Sequence, residues 1–190
     1  MNILPGKLSF LRVPRKYLPV YGIVVIYFIY AAYKYATVEN NGDYSSAFYF
    51  IHSVFHEIGH AVCSKFPTVV HVFGGSLFQW LTPIACGIYF LYGNEKHALP
   101  VAVGWLGFSL LDSAIYIRDA IEQELTLVAP FAGPDTELIH DWNYLLSHWH
   151  VLHKAHSIGN AVATTGYIFV GIAIIALVLA MLSSKGDDET

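Results

Sequence analysis

The chain has 190 residues, of which 55% are hydrophobic, 15% aromatic and only 13% Asp, Glu, Lys or Arg, whereas about a quarter of a soluble domain is charged. Its mean hydropathy of +0.50 makes lipid the expected solvent, and the bilayer and other membrane proteins or peptides the expected partners. The formal charge of -4 comes with no basic block beyond the N-terminus, which argues against nucleic acid as a partner.

The opening MNILPGKLSFLRVPRK carries Lys7, Arg12, Arg15 and Lys16 and no acidic residue. The apolar run after it is too long for a signal-peptide core, so it reads as a retained anchor. The positive-inside rule then places the N-terminus in the cytoplasm. Five stretches, 17–36, 44–66, 76–92, 98–119 and 158–182, are apolar enough to be predicted as crossings of a hydrocarbon core about 30 Å thick. The expected fold class is all-α: a polytopic transmembrane helix bundle forming a single integral membrane domain over residues 1–190, with about five spans and a cytoplasmic interfacial helix. Five alternating crossings put the acidic stretch Val38–Asp43 and the tail SSKGDDET outside, and Ala120–Ser157 inside.

The first and last spans are nearly free of polar groups, whereas the middle three carry His, Glu, Gln and Asp. Polar side chains within a span are costly and face a cavity or a partner, so these three helices should surround the working site. Pro67 is expected to end the second helix. In the VHVFGG run that follows, Val70 to Phe73 read as an extended piece, Gly74 and Gly75 as a tight turn, and Ser76 as the cap of the third helix. Further on, Asp135 or Asp141 is expected to cap a short helix. Its apolar face of Trp142, Leu145, Leu146, Trp149 and Leu152 suits the membrane surface. Cys63 and Cys86 fall within spans and lack CxxC spacing, which points away from a disulfide or a cysteine metal site.

The most informative motif is HEIGH at His56–His60. Residues four apart share a helical face, so both imidazoles can reach one Zn²⁺, with Glu57 beside them to activate a metal-bound water. The competing reading is a polar network in which His and Glu satisfy one another between helices. His52 extends the stripe by one turn and reads as a supporting residue. A catalytic zinc has three protein ligands and one open position, so a third ligand must come from elsewhere. Asp112 is the leading candidate, because counting along the spans brings it to the depth of the histidines; His140 and Asp141 are the alternatives. Asp119 reads equally well as a solvated helix-end charge or as a functional group. The group His148, His150, His153 and His156 does not put three rings on one helical face, so a second metal site there is disfavoured.

FHEIGHAV, GGSLFQWLTP, WLGFSLLDSAIYIRDA and HDWNYLL together resemble the site-2 protease class of intramembrane zinc metalloproteases, in particular small M50-like bacterial members. The resemblance covers about the middle half of the chain. It implies a hydrolase acting by intramembrane proteolysis, metal-binding His56 and His60 with Zn²⁺ as cofactor, Glu57 as general base, membrane proteins or peptides as substrates, and a bacterial inner membrane location. The sequence departs from the family at the third ligand: an LDG-type motif is replaced by Leu111-Asp112-Ser113, and there is no PDZ domain. The VHVFGG segment is expected to pair with an unwound substrate as an added strand. The alternative function is a catalytically silent membrane scaffold or accessory subunit of a larger membrane complex that retains the fold. A di-iron oxygenase, prompted by the ten histidines, is a more remote third.

Overall fold

A computed structural model describes residues 11–37, 46–125 and 139–185, and among them every regular element is helical. The elements are α1 (Leu18–Thr37), α2 (Tyr49–Cys63), α3 (Thr68–Tyr92), α4 (Leu99–Arg118), α5 (Asp141–His148) and α6 (Ala155–Lys185). Four stretches, Arg15–Thr37, Thr68–Tyr92, Lys96–Arg118 and Leu152–Ser184, are long and apolar enough to cross a membrane. Their outward faces are apolar too: Ile23 and Ile26 on α1 are 67% and 69% exposed, and Ile175 on α6 is 62% exposed. Such a surface suits lipid rather than water. The expected ends of the first, fourth and fifth spans agree with α1, α4 and α6 to within about one turn. The expected outer stretch Val38–Asp43 lies outside the described residues.

The second and third spans differ from expectation. α2 has 15 residues, about 22 Å at 1.5 Å each, and is too short to cross the bilayer alone. It closes at Ser64, three residues before Pro67, and Pro67 is instead the residue that opens α3. Helix α3 is continuous from Thr68, so the Val70–Phe73 stretch is not extended, Gly74 and Gly75 are not a turn, and Ser76 is mid-helix. The two glycines sit where α3 meets α2. A Cβ on Gly59 would lie 2.1 Å from the Gly74 carbonyl oxygen, so these backbones approach as only side-chain-free positions allow. Because its backbone bonds are used within the helix, VHVFGG offers no free strand edge to a substrate.

Pro83 removes the amide that would bond the Gln79 carbonyl, and the Ser109 hydroxyl from α4 donates to that carbonyl at 3.2 Å. Gln79 and Trp80 donate in turn to the Ser113 hydroxyl. On the other side, α4 packs against α6 with Gly107 and Gly166 face to face. The larger core joins α1, α4 and α6 through Phe28, Phe108, Leu111, Ala173 and Leu177.

Helix directions follow from these pairings. Along α1, Tyr21 stacks on His97, Phe28 fills the space over Gly104, and Tyr35 bonds Asp112. α1 and α4 therefore run parallel. α3 runs opposite to α2 and to α4, pairing His60 with His71, Gly59 with Gly74, and Gln79 with Ser109. The Ser184 hydroxyl near the end of α6 donates to the Val13 carbonyl ahead of α1, at 2.5 Å. Both ends of the described chain thus lie at one end of the bundle, whereas five alternating crossings would separate them. The end of α4, α5 and the start of α6 lie at the opposite end, not on the N-terminal side as expected.

Helix α5 corrects a further expectation. Trp142, Leu145 and Leu146 do not lie along a membrane surface; they are buried against Val72, Ile117, Ala120 and Ala155. Burying each is worth about 2 kcal/mol, enough to dock a helix of two turns. Its cap is His140, whose Nδ1 accepts from the Asn143 amide at 3.1 Å, and Asp141 is the first helical residue; Asp135 lies outside the described residues.

Candidate metal centre

His56 and His60 project from one face of α2 toward the start of α5, and Asp141 comes to meet them. Asp141 Oδ2 is 2.8 Å from His56 Nε2 and 3.1 Å from His60 Nε2, and the two Nε2 atoms are 3.0 Å apart. Glu57 brings a carboxylate oxygen within 4.8 Å of the histidine nitrogens. Gly75 of α3 supplies the room, since a Cβ there would lie 2.6 Å from both Nε2 atoms.

The hydrogen-bond chemistry around His60 is diagnostic. Its Nδ1 lies 3.0 Å from the His71 carbonyl, which only accepts, so Nδ1 carries the proton and a neutral ring presents a bare lone pair at Nε2. That lone pair faces the Asp141 oxygen and His56 Nε2. His56 Nε2 can meet the Asp141 oxygen as a donor when it carries its ring proton, so the three atoms are brought together by a shared proton or by a cation between them. Their spacing suits Zn²⁺, whose tetrahedral ligand atoms stand about 3.3 Å apart at bond lengths near 2.0–2.1 Å. The backbone bond from the far nitrogen of His60 is the support that zinc-bound imidazoles ordinarily have. Burial alone would raise the Asp141 carboxyl, but its pairing with the adjacent His56 and His60 imidazoles outweighs this and holds it below the usual carboxylate range. The donor set therefore fits a zinc ion.

Asp112, the leading expectation for third ligand, belongs to a different cluster. It accepts from His52 Nδ1 and from the Tyr35 hydroxyl, while Trp105 donates to His52 Nε2 at 2.8 Å. Trp105 only donates, so Nε2 is the acceptor and His52 is neutral. This buried network joins α1, α2 and α4 and leaves Asp112 no role at His56 and His60. Asp112 lies short of the histidines because α2 starts inside the bundle. His52 is three residues into α2 and Asp112 thirteen into α4, so α2 begins about 15 Å further along.

His140 lies in another group of contacts, with Nδ1 at the α5 cap and Nε2 against Asp119 at 3.2 Å. Burial lowers its affinity for a proton, outweighing the pull of Asp119, which agrees with a neutral ring. Of the remaining histidines, His148 stacks on Tyr144, His156 pairs with Glu122 at the surface, and His150 occupies a left-handed backbone position. No metal-holding group forms among them within the described residues. Cys63 is a free thiol packed beside Gly74, and Cys86 is free on α3.

The carboxylates differ in one useful respect. Asp112, Asp119 and Asp141 each accept hydrogen bonds, whereas Glu57 has no hydrogen-bond or ion-pair partner among the described residues. No family model, curated protein or solved structure matches the chain.

Proposed function

We propose that the protein is an intramembrane zinc metalloprotease of the site-2 protease type, with Zn²⁺ held by His56, His60 and Asp141. The observation that carries this reading is the convergence of three ligand atoms within 3.1 Å beside a carboxylate with no competing bond among the described residues. Zinc at this place would supply Lewis acidity and an acidified water. Glu57, beside the histidines, would accept the proton from a water at the site and return it to the leaving amine. The histidines, 16% and 19% exposed, leave the site reachable, and Asp141 on α5 walls its far side. A membrane-embedded substrate helix would have to unwind at this site to expose its carbonyl.

The favoured location is the bacterial inner membrane. The sequence before α1 carries Lys7, Arg12, Arg15 and Lys16 and no acidic residue, which by the positive-inside rule favours the cytoplasm for that end of the bundle. Four crossings return the chain to that side, and the metal centre then lies toward the outer face. In intact cells, a Lys154→Cys variant is labelled by a membrane-impermeant maleimide, whereas Lys16→Cys is labelled only after lysis; the reverse pattern would invert the orientation.

The function is tested with zinc-loaded protein in bilayers and a panel of single-span membrane peptides. Wild type cleaves at least one of them, and Glu57→Gln keeps its zinc but loses cleavage by at least a hundredfold, within the usual range for a general base. A Glu57→Gln variant as active as wild type would eliminate the mechanism. Zinc bound with no cleavage by either form would favour the silent scaffold.

A further inference from the structure

The third ligand sits at the first residue of a helix only eight residues long, and its position depends on what fixes that helix. Two hydrogen bonds and a ring contact tie α5 to the end of α4. His140 Nε2 donates to Asp119 Oδ2 at 3.2 Å, the Asn143 side-chain amide donates to the Ala120 carbonyl at 2.7 Å, and the Tyr116 ring stacks on His140 with centroids 4.1 Å apart. Asp119 also accepts from the Glu124 and Leu125 amides, so the turn after α4 is closed around the same carboxylate. Meanwhile His140 Nδ1 caps α5 through the Asn143 amide. One imidazole therefore joins the cap of the ligand-bearing helix to the end of its neighbour. The histidines belong to α2, which is held to α3 at Gly59 and Gly74. The metal centre is thus divided between two helix pairs, with α2 and α3 carrying two ligands and α4 and α5 the third.

We infer that Asp119, His140 and Tyr116 form a latch that sets Asp141 against His56 and His60, making Asp119 and His140 positioning residues for the metal centre. Their functional meaning rests on the zinc reading above, but the placement of α5 does not. An unlatched α5 would carry Asp141 away as a unit, because the carboxylate is only one residue from the cap. Supports one bond removed from a metal ligand typically alter affinity by 10- to 100-fold.

The test uses the full-length protein in detergent, with Asp119→Ala, His140→Ala, His140→Asn and the surface control His156→Ala. Zinc affinity is measured by competition, Co²⁺ substitution gives the visible spectrum of the site, and amide exchange across α5 is followed in metal-free protein. Asp119→Ala and His140→Ala weaken zinc at least tenfold, reduce the tetrahedral Co²⁺ absorption and speed α5 exchange, with overall helix content unchanged. His140→Asn, which keeps a capping acceptor, falls between them and wild type, and His156→Ala behaves as wild type. Wild-type zinc affinity and α5 exchange in both alanine variants would overturn the latch. If wild type binds no metal, the zinc reading fails and exchange alone decides: faster α5 exchange in the variants upholds the latch, and unchanged exchange removes it.

Discussion

Replacing Gly75 with alanine adds one methyl group at the point where α3 faces the two histidines. That carbon would lie 2.6 Å from His56 Nε2 and His60 Nε2 and 2.7 Å from His56 Cε1. Ordinary non-bonded contact begins near 3.5 Å, so the rings must retreat by about 0.9 Å. Metal sites tolerate only about 0.2 Å in ligand distance. The displacement exceeds that tolerance several-fold. Overpacking of this size costs about 1–3 kcal/mol, so zinc binding should weaken by one to two orders of magnitude. The assay is competition against a chromophoric chelator, with Gly87→Ala as the control on the same helix. There the added carbon meets Leu99 and Ala102 at 3.5 and 3.6 Å, which is ordinary contact. Wild-type zinc affinity in Gly75→Ala would refute the placement of both imidazoles.

Gly59→Ala forces a carbon to 2.1 Å from the Gly74 carbonyl, backbone against backbone. It should lower stability by about 2 kcal/mol or more, read as a reduced thermal midpoint beside Gly171→Ala, whose added carbon meets nothing within 4 Å; equal midpoints would disprove the close approach of α2 and α3. Asp112→Ala removes the acceptor of His52 Nδ1 and should destabilise the bundle by about 1–3 kcal/mol while leaving one zinc bound. Loss of zinc from a folded Asp112→Ala variant would return Asp112 to the metal.

The parts of this molecule that could be read from its sequence are those set by one helix at a time. The ends of α1, α4 and α6 follow from apolar length, and the shared face of His56 and His60 follows from four-residue spacing. What could not be read depends on where helices stand relative to one another. Gly74 and Gly75 favour a turn when judged locally, yet in a bundle the same absence of side chains favours close helix packing, and packing prevailed. Counting from the start of each span puts Asp112 level with the histidines, and the count fails because α2 begins inside the bundle. Asp141 had a signal of its own: it directly follows a histidine able to cap a helix, so its carboxylate is presented at a fixed N-terminus. The Val13–Ser184 bond that fixes the chain ends at one side joins positions 171 residues apart, beyond the reach of any local pattern.

The most direct measurement of the central claim is the metal content of the purified, folded protein, with wild type beside Asp141→Ala. About one zinc is expected per wild-type chain and none retained by Asp141→Ala. A folded wild type that takes up no zinc, or an Asp141→Ala variant that keeps it at full affinity, would contradict it.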